Sequence, residues 1–391
     1  MDDLGGGQGG WHPVYERGYR PFQHSLRSVF STMRVPELDG LRGLAILLVL
    51  IYHCAAFQTV RHSFVYYLLV PRGLMWSGVD LFFVLSGFLI GGILMDSKDS
   101  PTYYHTFYLR RVFRIFPLYY LMISLLVAGC LLFPWSFLFA SRMPIWPFFF
   151  FLQNVGFGIT HAAPLVGVTW SLAVEEQFYL LLPLAVQKLS IRTLSVLAII
   201  CVIAAPVLRT IFFLWGLRWD QIQAPLPCRA DALALGVLAA ILVRSEPATL
   251  WIRRNSTAAY IYFALLVCGS AAMLKLQETR YTATFGISLL DQMYFCLLVL
   301  LVLVPLRPMT WIFRLKWLGW LGTVSYCVYL IHQAVWYSIF RAAGYSEPLI
   351  TDLFTFSLAM LAFFIVLSVA QLSWTYLENP LNQRARKLYN Y

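Results

Sequence analysis

Runs of about 20 apolar residues recur along the whole chain, and this feature constrains its fold more than any other. An α-helix needs about 20 apolar residues to cross the roughly 30 Å hydrocarbon core of a bilayer. Of the 391 residues, 60% are hydrophobic and 12% are charged, whereas soluble domains average about 25% charged residues. The runs follow one another with short loops, so the sequence predicts an all-α polytopic membrane protein built as one membrane domain.

The apolar runs predict ten transmembrane helices. They lie near 39–59, 73–95, 113–134, 170–187, 192–215, 229–243, 257–274, 283–305, 321–340 and 352–377. A further apolar segment, WPFFFFLQN, covers residues 146–154 and is short for a crossing. It fits either an eleventh span or a half-inserted segment.

The distribution of Lys and Arg favours ten crossings over eleven. With the N-terminus in the cytoplasm and 146–154 not crossing, 19 of the 29 Lys and Arg fall in inside segments, eight in outside segments and two within spans. A crossing at 146–154 would reverse this bias in the second half, against the positive-inside rule. We therefore predict a multi-pass protein of the cell membrane with both termini cytoplasmic. Its parts are a flexible tail over 1–35, a membrane domain over 36–378 and a basic tail over 379–391.

Composition argues against several other kinds of partner. The net charge of +11 is explained by cytoplasmic Lys and Arg, and no basic stripe is interleaved with exposed aromatics, so we expect no nucleic-acid partner. The seven cysteines lie in or beside apolar runs without C-x-x-C spacing, which is typical of small core residues. We expect no metal site and no bound cofactor.

Arg42 and His53 lie on one face of the first span. At 100° per residue, eleven residues end about 20° past three full turns and about 16 Å along the axis. The shared face therefore runs from the cytoplasmic boundary to the membrane midplane. In one interpretation Arg42 reaches the lipid headgroups and His53 contacts a neighbouring helix. In the other, both belong to a functional site.

Arg111 and Arg114 form a pair at the cytoplasmic start of the third span, in YLRRVFRIFP. They share a helix face because they are three residues apart. In one interpretation the two charges only keep this end of the span on the cytoplasmic side. In the other the pair is a phosphate clamp, since guanidinium groups bind phosphate oxygens in bidentate fashion.

Two adjacent carboxylates, Glu175 and Glu176, lie about one turn into the fourth span, in VTWSLAVEEQFYLLLPL. Neighbouring helix positions cannot both face the same partner, so at least one of these acids is expected in a polar cavity. Tyr179 lies one turn from Glu175, and Trp170 and Ser171 begin the same span. These three are candidate supporting residues.

Further candidate supporting residues in or beside the spans are Asp80, Arg229, Asp231 and His332, and Arg209 and Asp291 are also ionisable residues within spans. Asp80 lies near the outer end of the second span, in a glycine-rich stretch that we interpret mainly as a helix-packing surface. Arg229 and Asp231, in PCRADALALG, are predicted to pair at the outer end of the sixth span, with a structural role favoured. His332 is a second histidine within the membrane, interpreted as a hydrogen-bonded core residue or a site residue.

Six stretches, taken together and in order, match a known family. They are LDGLRGLAILLVLIYH, GVDLFFVLSGFLI, YLRRVFRIFPLYY, TWSLAVEEQFY, RADALALG and SYCVYLIHQ, and they cover roughly residues 36–380. On these residues the chain resembles the integral-membrane acyltransferase family 3, O-acyltransferases that include bacterial O-antigen and peptidoglycan acetylases. The family's R-x10-H signature corresponds to Arg42 and His53, and its R-x-x-R signature to Arg111 and Arg114.

The resemblance implies a ten- or eleven-helix membrane domain that uses cytoplasmic acyl-CoA, with acetyl-CoA expected, and a hydroxyl acceptor, often a carbohydrate, on the other side. Arg42, Arg111 and Arg114 would bind the donor. His53 would act as general base or as a transient acyl carrier, oriented by Glu175 as a carboxylate orients histidine in a triad. Membrane lipid is an expected partner, and a separate extracytoplasmic partner could complete the transfer.

A secondary transporter is the main alternative, since ten spans with midplane polar residues also describe a carrier. That function predicts two related halves. The position eleven residues before His332 is Leu321, so the Arg42–His53 arrangement is not repeated in the second half. A different membrane acyltransferase superfamily, with a deep histidine, shares the chemistry but not these motifs.

Overall fold

The structure is a computed structural model that describes residues 35–55, 72–132, 144–155, 166–276 and 281–391. Within these ranges the regular secondary structure is helical, with no β-strand. The predicted all-α class is confirmed for this part of the chain. Residues 1–34, most of the predicted N-terminal tail, lie outside it.

Ten long helices, each overlapping one predicted span, form the body of the described chain. We number them α1 to α10 in chain order: Pro36–Ala55, Gly78–Asp96, Tyr103–Leu132, Thr169–Lys188, Ile191–Leu214, Ala230–Arg244, Ser256–Leu276, Ile287–Leu303, Lys316–Ala342 and Leu353–Ser373. Shorter helices connect or extend them. They are Arg72–Met75, Trp146–Phe149, Trp219–Gln223, Leu226–Cys228, Glu246–Arg254, Thr282–Gly286, Arg307–Phe313, Trp374–Glu378 and Asn379–Leu388.

Six helical segments of the described residues are long and apolar enough to cross a membrane. They include α2, α3, α5, α7, α8 and α10, and a seventh is reached if α6 and Glu246–Arg254, which meet at 92°, count as one bent span. The remaining long helices are α1, α4 and α9, and α1 and α4 are interrupted by several acidic and basic side chains. The chain is thus a multi-pass helical membrane protein, while ten crossings stay a prediction.

Exposure varies among the helices as expected for a bundle in lipid. In α2 and α8, 67% and 72% of the apolar window is buried, whereas in α5 and α7 only 17% is. The exposed side of α5 carries Ile199, Ile203 and Val207. Lipid can cover such a surface, because hydrocarbon is as apolar as the side chains themselves. Helices α2 and α8 therefore belong to the interior of the bundle, and α5 and α7 to its periphery.

Exposed tryptophans lie at the ends of the long helices or between them. In the described part of the chain they are Trp146, Trp215, Trp251, Trp311, Trp317 and Trp320, the last two in the first turns of α9. Tryptophan is enriched at the two membrane–water interfaces, where its ring sits among the headgroups. This distribution matches the ends expected for membrane-crossing helices.

The segment 146–154 contains one short helix, Trp146–Phe149, and then a loop held against the start of α4. In this loop Gln153 Nε2 donates to the Thr169 carbonyl at 2.9 Å, and Gln177 Nε2 donates to the Phe151 carbonyl at 2.8 Å. The segment is therefore not a helix of membrane-crossing length.

Glycines allow a close approach of helix backbones at two crossings. A Cβ atom on Gly43 of α1 would overlap the Leu318 carbonyl, and one on Gly322 of α9 would overlap the Asp39 carbonyl. At the crossing of α2 and α6, a Cβ on Gly87 would overlap the Leu233 carbonyl. Close backbone approach through small residues is the usual way in which membrane helices pack. These crossings fix α1 against α9 and α2 against α6.

The predicted basic tail, 379–391, is helical over Asn379–Leu388, and the residues after it pack on the start of α3. Arg110 Nε donates to the Tyr389 carbonyl at 2.9 Å, and Arg110 Nη2 donates to Asn390 Oδ1 at 3.3 Å. Thr102 and Thr106 both donate to the Asn390 carbonyl. Arg110 is therefore engaged by the C-terminal segment.

Candidate active site

The α1–α9 packing brings His53 and His332 together. The two helices meet at Gly43 and Gly322, ten residues before each histidine, so they run parallel and stay in register. His53 Nδ1 lies 3.1 Å from His332 Nε2, and the ring centroids are 4.8 Å apart. His332 is 2% exposed. The second membrane histidine of the sequence is thus a direct neighbour of the first.

Three arginines meet around a pocket between α1, α2, α3, α4 and α9. Arg42, Arg111 and Arg114 line it together with the carboxylate of Glu175. It holds about 780 Å³ of space not occupied by atoms, part of which is open to solvent. The Arg111 guanidinium is held over the Tyr179 ring, 4.9 Å from its centroid. Three guanidinium groups against one carboxylate leave the pocket positively charged, as an anion-binding site requires.

Glu175 hydrogen-bonds to Ser86 of α2. Ser86 Oγ donates to Glu175 Oε1 at 2.5 Å, and the Tyr179 hydroxyl donates to Ser86 Oγ at 3.1 Å. The Glu175 carboxylate also interacts electrostatically with Arg111, Arg114 and Arg42. Our sequence-based expectation put this acid beside His53. In the structure it belongs to the arginine pocket, and the atom beside His53 Nδ1 is a nitrogen of His332.

Glu176 is not among the residues that line the pocket. Its carboxylate interacts electrostatically with Tyr119 and Tyr326, and its buried Oε1 has no hydrogen-bond partner in the described part of the chain. The two adjacent acids therefore differ in surroundings, as expected for neighbouring positions on one helix.

Tyr329 connects the arginine pocket with the two histidines. Its side chain lines the pocket at the end where Ser171 also lies, and the two hydroxyl oxygens are 2.6 Å apart. The Tyr329 ring centroid is 5.9 Å from that of His332, and the Tyr329 carbonyl lies 2.7 Å from His332 Nδ1. His332 is thus in direct contact with a residue that lines the pocket.

Arg229 pairs with Asp80 and not with Asp231, which corrects the pairing predicted from sequence. Arg229 Nη1 donates to Asp80 Oδ1 at 2.5 Å, and the guanidinium lies 5.5 Å from the Trp170 ring centroid. Asp80 thus has an ionic partner as well as a place in the packing surface of α2. Arg229 immediately precedes α6 and Asp231 lies two residues farther on, about 200° around the helix axis, so the two side chains contact different helices.

Asp231 pairs instead with Arg209 of α5. Arg209 Nη2 donates to Asp231 Oδ2 at 2.7 Å, and Nη1 donates to Oδ1 at 3.1 Å. Ser288 Oγ also donates to Asp231 Oδ2, at 2.6 Å. Both ionic side chains are fully buried. The geometry is that of a structural ion pair joining α5, α6 and α8.

Sequence reasoning did not single out Ser86 or Tyr329. Ser86 lies in the stretch LSGFLIGG, where the glycines suggested helix packing, and Tyr329 lies in an apolar run beside His332. For Ser86 the helix face gave no signal, because it lies six residues from Asp80 and therefore about 240° around the axis of α2. For Tyr329 the available signal was its helix face. Tyr329 is three residues before His332, which places both on one face of α9.

Comparison with known proteins identifies a family that the chain matches over most of its length. A family model described as an acyltransferase domain, Acyl_transf_3, matches residues 35–372.

The chain belongs to this family. The match covers α1 to α9 and most of α10, and so includes the arginine pocket and both histidines.

Two bacterial relatives illustrate the similarity. The peptidoglycan O-acetyltransferase OatA of Listeria monocytogenes is 36% identical over 166 residues, which are 39% of this chain and 24% of that protein. The O-acetyltransferase OatA of Staphylococcus aureus is 29% identical over 236 residues, 56% of this chain and 36% of that protein. The chain therefore matches about a quarter to a third of the length of these relatives. No solved structure matches it.

Proposed function

We propose that the protein is a membrane O-acyltransferase that moves an acetyl group from cytoplasmic acetyl-CoA to a hydroxyl group of an extracytoplasmic carbohydrate. The observation that carries the proposal is the pairing of a three-arginine pocket with a histidine farther along the same face of α1. Family membership supports acyl transfer. The names of the relatives support O-acetylation, with peptidoglycan as the first acceptor to test.

The arginine pocket is the donor end of the proposed site. Acyl-CoA carries a diphosphate and a 3′-phosphate, and guanidinium groups are the side chains best suited to bind such groups. With phosphates bound by Arg42, Arg111 and Arg114, the pantetheine arm would extend along α1. His53 lies about 16 Å beyond Arg42 along the helix axis. Tyr329 lines the pocket and contacts His332, so we expect its side chain to move when the acyl group reaches His53.

His53 is the proposed catalytic residue. As general base it takes the proton from the acceptor hydroxyl while the acceptor oxygen forms its bond to the acyl carbon. The carbon–sulfur bond of the thioester then breaks, and the proton passes from His53 to the sulfur, giving CoA. A transient acyl group on His53 is the second route by which the same residue could serve. Both routes need His53 and differ only in whether acyl-histidine forms.

The proposed topology follows from the charges. Ten crossings with both termini in the cytoplasm put the arginine pocket toward the side that holds acyl-CoA and His53 toward the other side. Lipid would surround α5, α7 and α10. A separate extracytoplasmic protein could pass the acetyl group to its final acceptor. A secondary transporter is the less favoured function, because the family match names an acyltransferase.

A membrane assay with labelled acetyl-CoA tests the proposal. Membranes holding the protein should release CoA when muropeptides or other glycans are added, and label should enter the glycan. His53→Ala should reduce this turnover by about 10²-fold or more. His105→Ala is the matched control, because His105 is exposed at the start of α3 and contacts Tyr389, away from the pocket. Substrate uptake without CoA release would favour a carrier and contradict the proposal.

A further inference from the structure

We propose that His332 is the positioning residue of the site, holding His53 in the tautomer whose Nε2 is free to take a proton. The proposal rests on the proposed acyl-transfer function and deepens it. The observation behind it is the chain of contacts from the carbonyls of Val328 and Tyr329, through His332, to His53.

The neighbours of His332 determine its tautomer. His332 Nδ1 faces two backbone carbonyl oxygens, that of Tyr329 at 2.7 Å and that of Val328 at 3.2 Å. A carbonyl oxygen only accepts hydrogen bonds, so Nδ1 must carry the proton. In a neutral imidazole the other nitrogen is then an acceptor. His332 therefore presents the lone pair of Nε2 to His53.

The neighbours of His53 likewise determine which of its ring nitrogens carries the proton. Its Nδ1 lies 3.0 Å from the Val49 carbonyl oxygen and 3.1 Å from His332 Nε2. Both neighbours are acceptors, so His53 Nδ1 carries a proton and shares it between them. The lone pair of His53 is thereby assigned to Nε2. A general base needs an unprotonated nitrogen, and this hydrogen-bond chain leaves Nε2 of His53 unprotonated.

His332 thus has the place that a carboxylate has in a catalytic triad, where it orients the base and stabilises its protonated form. When His53 Nε2 takes the proton of the substrate hydroxyl, His53 becomes an imidazolium. Its Nδ1 still donates to His332 Nε2, now in a charge-assisted hydrogen bond. His332 neither gains nor loses a proton in this step. The proton on His53 leaves to the CoA sulfur, which returns both rings to their starting state.

His332 is well suited to orientation because its own ring is fixed. The ring is 2% exposed and is held by carbonyls of its own helix. Glu175, the carboxylate first expected in this role, is bonded to Ser86 in the arginine pocket. Side chains locked by packing and outer hydrogen bonds hold catalytic groups within the narrow geometry that proton transfer needs.

Two amide substitutions test the role, because each can replace a different ring nitrogen. His332→Gln can put an amide oxygen near the position of Nε2 and accept from His53. His332→Asn reaches only the position of Nδ1, so it can still donate to the Tyr329 carbonyl but cannot reach His53. We expect kcat of His332→Asn to fall by about 10²-fold, that of His332→Gln to stay clearly higher, and KM for acetyl-CoA to change little in both.

The readouts are kcat and KM for acetyl-CoA, with CoA binding and thermal unfolding showing that each variant is folded. Equal turnover in the two amide variants, whether high or low, would overturn the proposal, as would higher turnover in His332→Asn. A rise in KM with unchanged kcat would also overturn it, because that is the signature of lost donor binding. His53→Ala is measured in parallel. If that variant is fully active, the proposed function itself fails; if only His53→Ala is impaired, the role of His332 alone fails.

Discussion

The arginine pocket gives the most quantitative prediction, at Arg111. Its guanidinium is held between the rings of Tyr179 and Phe107, 4.9 Å and 5.8 Å from their centroids, and faces the same pocket as Glu175. If Arg111 binds a donor phosphate as proposed, Arg111→Ala removes at least one charge-assisted hydrogen bond, which is worth about 1.5–3 kcal/mol. The dissociation constant for CoA should therefore rise about 10- to 150-fold, since 1.4 kcal/mol corresponds to a factor of ten.

Calorimetric titration of CoA into detergent-solubilised protein measures this change. Arg110→Ala is the matched control, because Arg110 is adjacent in sequence yet binds the backbone of Tyr389 and the side chain of Asn390. The dissociation constant of Arg110→Ala for CoA should stay within about twofold of that of the unsubstituted protein, because exposed charges contribute little to such interactions. Arg111→Lys should bind with intermediate affinity, because it keeps the charge and loses the planar fork.

A role for Arg111 and Arg114 in donor binding is excluded if Arg111→Ala and Arg114→Ala both bind CoA as tightly as the unsubstituted protein. The two arginines would then be anchors that set the orientation in the membrane and nothing more. Equal weakening in Arg110→Ala would also exclude that role, because the effect would then report the surface charge of α3 and not the pocket.

Three further predictions concern packing and charge. Asp231→Ala should destabilise the fold by about 3–5 kcal/mol, because it leaves Arg209 buried without its partner; a thermal unfolding transition unchanged from the original would exclude that role for the pair. Glu175→Gln removes a negative charge that would repel the CoA phosphates. It should tighten CoA binding roughly fifteenfold if the two charges are about 10 Å apart at an effective dielectric constant of about 20; titration showing weaker binding would contradict this. Gly87→Ala should lower stability by about 1–3 kcal/mol through overpacking, while Gly319→Ala, which has open space around it, should not destabilise.

Features that depend on one helix could be predicted from the sequence. The ten apolar runs each correspond to a long helix, because apolar length decides where such a helix forms. The common face of Arg42 and His53 follows from the period of 3.6 residues. The arginines of the pocket were found by their spacing and by the family resemblance, and the structure brings Arg42, Arg111 and Arg114 to one pocket.

Features that depend on contacts between helices could not be predicted in this way. His53 and His332 are 279 residues apart, and Arg229 and Asp80 are 149 apart. Which side chains meet across two helices depends on the crossing point, here set by the glycines of α1 and α9. Periodicity shows which residues share one face of a helix. It does not show how that helix is rotated or shifted along its axis relative to a neighbouring helix. The expected partners of Glu175 and Arg229 were therefore wrong although each residue had been recognised.

The central claim is that acetyl groups reach a glycan through His53, and the O-acetyl content of cell glycans tests it most directly. Cells that lack the gene would be complemented with the unsubstituted protein or with His53→Ala at equal membrane levels. Their peptidoglycan and other glycans would then be analysed by mass spectrometry. The account predicts that the unsubstituted protein restores an acetyl mass that the variant does not restore. Full restoration by His53→Ala, or no acetyl difference between cells with and without the unsubstituted protein, would contradict it.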